Sequence, residues 1–148
     1  MMQNVDLAAD YVRRAAIRLG ALDVLFDGNS WADVVRESQE VVELALKGLL
    51  RSCGIDPPRV HDVSEVLLAE RTRLPKALHE QLETLTGISR ELRRDRELAF
   101  YGAEDLMPSG FYSRQDAERA REGARRTVEL VVPHVAGAEA RADSRSDA

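Results

Sequence analysis

The ten residues VVELALKGLL, at positions 41–50, constrain this chain more than any other stretch. Wound as a helix they are apolar on nearly every side, and such a helix is stable in water only when neighbours cover it all round. The fold must therefore place this segment at its centre. Ser30 stands where it can cap the helix carrying the segment, with Asp33 three positions on in a capping-box arrangement. Gly54, followed by Pro57 and Pro58, marks its end.

The covering helices are legible on either side. Tyr11, Ala15, Leu19, Leu22 and Phe26 recur at spacings of three and four within residues 4 to 27, and Asp27, Gly28 and Asn29 close that helix. After the double proline, Asp62 and Glu65 repeat the capping spacing ahead of VSEVLLAER, a short helix. Leu78, Leu82, Leu85, Ile88, Leu92 and Ala99 then hold the helical period, which predicts one long helix over 75–99, with Pro75 in its first turn and despite Gly87. Gly102, Pro108 and Gly110 make residues 101–112 a loop. Ser113 with Asp116 opens a last helix, where Ala117, Ala120 and Ala124 run into Val128, Val131 and Val135. Small side chains at that spacing let another helix approach closely, within the bundle or across a dimer contact. With no β-alternation of useful length, the pattern predicts an all-α, antiparallel four- to five-helix up-and-down bundle over residues 1–136. The tail, 137–148, is small and polar and is expected to be disordered.

Composition narrows the function classes. A formal charge of −5 over 148 residues argues against an all-over basic nucleic-acid binder, yet leaves room for a local basic patch. Cys53 is the only cysteine, so no intrachain disulfide forms, and without a histidine cluster it makes no structural zinc site; no metal or other cofactor is expected. No apolar run reaches the length of a membrane span, and the opening MMQNVDLAADYVRRAA lacks a signal-peptide pattern. A cytoplasmic protein without membrane contact is the expectation.

The local patch is RELRRDRELAFYG, residues 90–102, with four arginines between positions 90 and 96. On a helix Arg90, Arg94 and Leu98 share one side while Arg93, Arg96 and Phe100 share another, so the arginines do not form one stripe. The plain reading is a solvated helix end, where the macrodipole favours cations. Glu43 and Lys47, four apart, read most simply as an intrahelical ion pair worth a few tenths of a kcal/mol. His61 reads as part of a helix start and His134 as part of a frayed end, while Trp31 reads as a core or interface anchor.

Several of these segments together resemble the HEPN domain family. ESQEVVELALKGLL (37–50) is similar to the family's second helix, with Gln39, Glu43 and Lys47 on consecutive turns. VHDVSEVL and FYSRQDAERAREGARRTVELV resemble its short third helix and its closing helix. The resemblance covers roughly residues 6–135 and implies a helical bundle that pairs as a homodimer. Its members include RNA-cleaving toxins, encoded beside a small nucleotidyltransferase protein, and non-catalytic forms that bind nucleotides or RNA. Catalytic members carry an Arg, four to six residues, then a His.

Here that place falls on Arg96, and the position of the His is taken by Tyr101. A phenol, with its ordinary pKa of about 10, exchanges protons near neutrality far less readily than an imidazole. An Arg and Tyr pair still holds phosphate and stacks a base. Arg93, Arg94, Arg96 and Tyr101 are therefore the candidate ligand-binding residues of a domain that binds nucleotide, RNA or a partner protein without efficient catalysis. One literal match to the catalytic spacing exists, Arg73 and His79, about as many as chance supplies in so arginine-rich a chain. Pro75 lies between them and predicts that they straddle a helix start. They are the candidates of the alternative reading, a metal-independent ribonuclease toxin. A third reading is a purely structural dimerisation module.

Overall fold

The computed structural model describes residues 4–60, 62–101 and 111–138, and of residues 4 and 95–101 the backbone alone. Among them every regular element is helical. α1 (Asn4–Asp27) is followed by α2 (Trp31–Ser52), the short α3 (Ser64–Ala69), two 3-10 turns (Arg71–Arg73 and Lys76–Gln81), α4 (Leu82–Tyr101), α5 (Arg114–Val131) and a last 3-10 turn (Val132–His134). This is the all-α bundle that the periodicities predict.

α2 is the hub, packed by α1, α4 and α5. Val41, Val42, Ala45, Leu46, Leu49 and Leu50 are all fully buried, as the all-round apolar segment requires. The early part of α1 meets the late part of α2: a Cβ on Gly48 would lie 2.7 Å from Val12 Cγ2 and 3.1 Å from Ala8 O. Those two helices are thus antiparallel, and glycine is what lets them touch. The start of α5 meets the end of α1 through Arg121 and Asp23, 3.1 Å apart, and its later part meets the start of α4 through Arg126 and Gln81. The four long helices consequently run up, down, up, down, with α3 in the crossover between α2 and α4. The small-residue face of α5, Ala117, Ala120 and Ala124, is buried in its own bundle. It is not left for a second chain.

Local sequence explains most of the boundaries. α1 ends with Asn29 in the left-handed region (φ 58), while the Ser30 amide donates to Leu25 O and that of Asn29 to Phe26 O. α2 ends the same way, with Gly54 at φ 74, the Ile55 amide on Leu50 O and Ile55 buried. At α5 the capping box is complete: Ser113 Oγ accepts from the Asp116 amide and the Asp116 carboxylate accepts from the Ser113 amide.

Three boundaries differ from expectation. Ser30 does precede α2, but its hydroxyl donates to Asp33 Oδ2 at 2.6 Å and no side chain caps a helix amide there. At α3 the N-cap position belongs to Val63, and the Asp62 carboxylate instead accepts from the Ser64 amide at 3.0 Å. The long helix expected over 75–99 is two elements. Pro75 is extended (ψ 134), the Leu78 amide reaches back only three residues to Pro75 O, and Lys76–Gln81 winds as a 3-10 helix before α4 begins. Leu78 and Leu82 both still reach the core. The histidine at position 61, positions 102–110 of the expected loop and positions 139–148 of the expected tail lie outside the described residues.

Candidate functional site

The arginine run lies on α4, and its near half is described in full. Arg93 turns toward the entry of α3, its Nη1 3.9 Å from Asp62 Oδ2. Asp62 is the centre of a network there: its Oδ1 accepts from Ser89 Oγ at 2.8 Å and from the Ser64 amide, while Arg90 Nε donates to Ser64 Oγ at 3.1 Å. Burial works to raise the Asp62 pKa, but the Ser64 and Ser89 hydrogen bonds and the charge of Arg93 outweigh it. The carboxyl is held below its ordinary range. The arginine run is thus partly a tie between α4 and the α3 crossover.

Arg94 turns away from that network, while Arg90, held by its Nε on Ser64 Oγ, stands at its edge. With Gly87 and Glu91 they line an open groove of about 300 Å³. A Cβ on Gly87 would meet nothing within 4 Å, so its floor is bare backbone. Arg94 is exposed and has no ion pair among the described residues. Two guanidinium groups four residues apart suit a phosphate, and the Glu91 carboxylate between them suits a hydroxyl or N–H donor. A second crevice, between α4 and α5, is lined by Glu91, Asp116 and Arg119 beside Ile88, Leu92, Ala120 and Gly123. Glu91 faces both.

The α4 backbone carries Arg96 and Tyr101 onward in the same helix, and their side chains lie outside the described residues. Arg73 and His79 stand apart from this groove in small structural roles. Arg73 Nη2 donates to Gly54 O at 3.0 Å and Cys53 O at 3.5 Å, closing the C-terminal end of α2, and Nη1 pairs with Glu70. His79 Nε2 lies 3.2 Å from Leu74 O, pinned to the turn before Pro75. Each occupies a backbone carbonyl of a different segment. On α2, Gln39 Nε2 and Lys47 Nζ both donate to the Glu43 carboxylate, at 3.2 and 2.8 Å. Gln39 is only 2% exposed, so this ladder is part of the helix packing.

Sequence reading missed Asp62, Ser64 and Ser89 as a unit and assigned Arg90 no partner. Only the capping spacing at Asp62 signalled that this residue has a local bond to make. Among the described residues no group of three or more His, Cys, Asp or Glu side chains gathers as a metal site. No described helix is long and apolar enough to cross a membrane.

An up-and-down helical bundle with a buried polar ladder on its second helix and a basic face on its fourth defines the class. A family model for the HEPN domain matches residues 8–135, and the chain belongs to that family. Nucleotide- and RNA-related function is general to the family, and its domains often dimerise. Neither a curated protein nor a solved structure matches the chain.

Proposed function

We propose that this chain is a HEPN domain that binds the phosphates of RNA or of a nucleotide along the solvent face of α4, without efficient cleavage. The observation that carries this reading is the Arg90 and Arg94 groove: two cations beside the bare Gly87 backbone, Arg90 oriented by its Nε on Ser64 Oγ and Arg94 with no ion pair among the described residues. Arg96 and Tyr101 stand further along the same helix. Arg93, tied to Asp62, holds the helix in place more than it meets ligand. Cleavage is disfavoured because Arg73 and His79 are each engaged with separate backbone carbonyls, and because a phenol stands where the family motif places its imidazole. A small nucleotidyltransferase is the protein partner that the family resemblance implies.

Fluorescence anisotropy with a short labelled single-stranded RNA tests the reading. Removing one arginine that neutralises a phosphate lowers the slope of log K against log salt by about 0.7, so Arg90→Ala with Arg94→Ala should flatten it by about 1.4 and weaken binding at low salt. Unchanged affinity would leave only a structural module. RNA cleavage by the purified protein that disappears in His79→Ala would establish the ribonuclease reading instead.

A further inference from the structure

Between Arg90 and Arg94 in the α4 groove stands Glu91, exposed and with no hydrogen bond or ion pair among the described residues. That isolation is not a matter of spacing. At three other places an acid closes an ion pair with the arginine three residues on: Glu70 with Arg73, Asp116 with Arg119 and Glu122 with Arg125. The same order and spacing at Glu91 and Arg94 brings no such pair, and Arg90, the immediate neighbour, is turned by its Nε to Ser64 Oγ at 3.1 Å. The groove therefore offers donors and an acceptor that do not neutralise one another. Of the two carboxylates on the adjoining crevice, Asp116 is taken up by Ser113 and Arg119, which leaves Glu91 as the one available to a ligand there.

A phosphate needs only the arginines. The carboxylate accepts hydrogen bonds and donates none, and it repels an anion, so it asks for a donor edge on the same ligand molecule. Nucleobases differ in that respect. The pairing edge of guanine carries two adjacent donors, N1–H and the N2 amino group, which the two oxygens of a carboxylate accept side by side as they accept a guanidinium fork. Adenine and cytosine set a ring-nitrogen acceptor beside their amino donor, and uracil sets a carbonyl oxygen on each side of its N–H. Each of those edges brings a lone pair against the carboxylate.

We propose that Glu91 makes the α4 groove selective for guanine: its carboxylate accepts from N1–H and the N2 amino group while Arg90 and Arg94 hold phosphate. The inference rests on the reading that this groove binds the phosphates of RNA or of a nucleotide, and adds the base that it takes. The base lies beside the Gly87 backbone, where no side chain holds it off. At about 300 Å³ the groove is at the lower end of small-ligand sites, so it takes one nucleotide at a time, and one guanine in a strand suffices.

Fluorescence anisotropy with short single-stranded uridine oligomers carrying one central guanosine, inosine, adenosine or cytidine tests the proposal. Guanosine should tighten binding by wild type about tenfold over adenosine or cytidine, through a pair of charge-assisted hydrogen bonds. Inosine, which keeps N1–H and lacks the N2 amino group, should fall between them. Glu91→Gln puts a donor in place of one acceptor oxygen and should bring the guanosine ratio to about one, with melting unmoved because the side chain is exposed. Arg90→Ala with Arg94→Ala should weaken all four oligomers together and flatten their salt dependence. A wild type that binds all four alike, or a guanosine preference that survives Glu91→Gln, would overturn guanine selectivity at Glu91 and leave the phosphate reading standing. An advantage of ribose over deoxyribose that is equal for every base would put Glu91 on a sugar hydroxyl and would overturn it too. Affinities indifferent to the arginine variant would instead overturn the phosphate reading.

Discussion

On α2, Gln39, Glu43 and Lys47 satisfy one another along a single helix, whereas Asp62 draws in Ser89 from 27 residues away and Arg93 from the same distant helix. Both networks use a carboxylate as the shared acceptor. They differ in what they hold. The α2 ladder secures polar groups inside the most buried helix of the bundle, where an unpaired one would be costly. The Asp62 network crosses between elements, joining the α3 crossover to the arginine-bearing helix. The first protects the core, and the second positions the candidate binding face.

The sharpest way to break the α2 side is to attack the packing that buries the ladder. Gly48→Val would drive a branched side chain into Val12 and the Ala8 carbonyl at the closest approach of α1 to α2. We expect a loss of about 3 kcal/mol, the upper part of the usual range for overpacking, read by urea denaturation. The same change at Gly87, where a Cβ meets nothing, should cost far less than at Gly48.

Glu43→Ala tests the ladder itself. It removes the carboxylate that accepts from both Lys47 and Gln39, whose side chains are largely out of water. The expected loss is about 1–2 kcal/mol, and Glu43→Gln, which keeps an acceptor for one of them, should lose less. That is well above the few tenths of a kcal/mol of an exposed pair four residues apart. A loss no larger than that would place the ladder on the surface in energetic terms.

The same contrast explains what could be read before the fold was known. Gln39, Glu43 and Lys47 interact at helical spacing, so their contact follows from the period alone. The centrality of α2 follows equally directly, because VVELALKGLL leaves no polar side to face water. The separation of Arg94 from Arg93 is likewise a matter of helical angle, whereas Arg90 both lines the groove and bonds Ser64 of the Asp62 network. What the period does not contain is the partner on another element. Nothing around Asp62 points to Ser89, and nothing around Arg73 points to the Cys53 and Gly54 carbonyls at the end of α2. Pro75 was legible as a boundary. The 3-10 winding after it is not written in the Leu78 and Leu82 spacing, which an α-helix would also have carried on one face.

The smallest expected effect belongs to the crossover network, and it carries a pH signature. Asp62→Asn should cost about 1 kcal/mol at about pH 7, because the charged acceptor of the Ser64, Ser89 and Arg93 contacts becomes a neutral one. The folded state holds the Asp62 pKa below its ordinary 3.8, so folding favours the ionised form. That contribution is complete above the unfolded value and disappears as pH falls through the lower folded value. Urea denaturation of wild type and Asp62→Asn at about pH 7 and about pH 3 should therefore show the gap between them narrowing in acid. A gap that stays constant would mean that the carboxylate charge is not what ties α4 to the crossover. If RNA binding through Arg90 and Arg94 depends on how that tie sets α4, the same variant should weaken binding at neutral pH while both arginines remain in place.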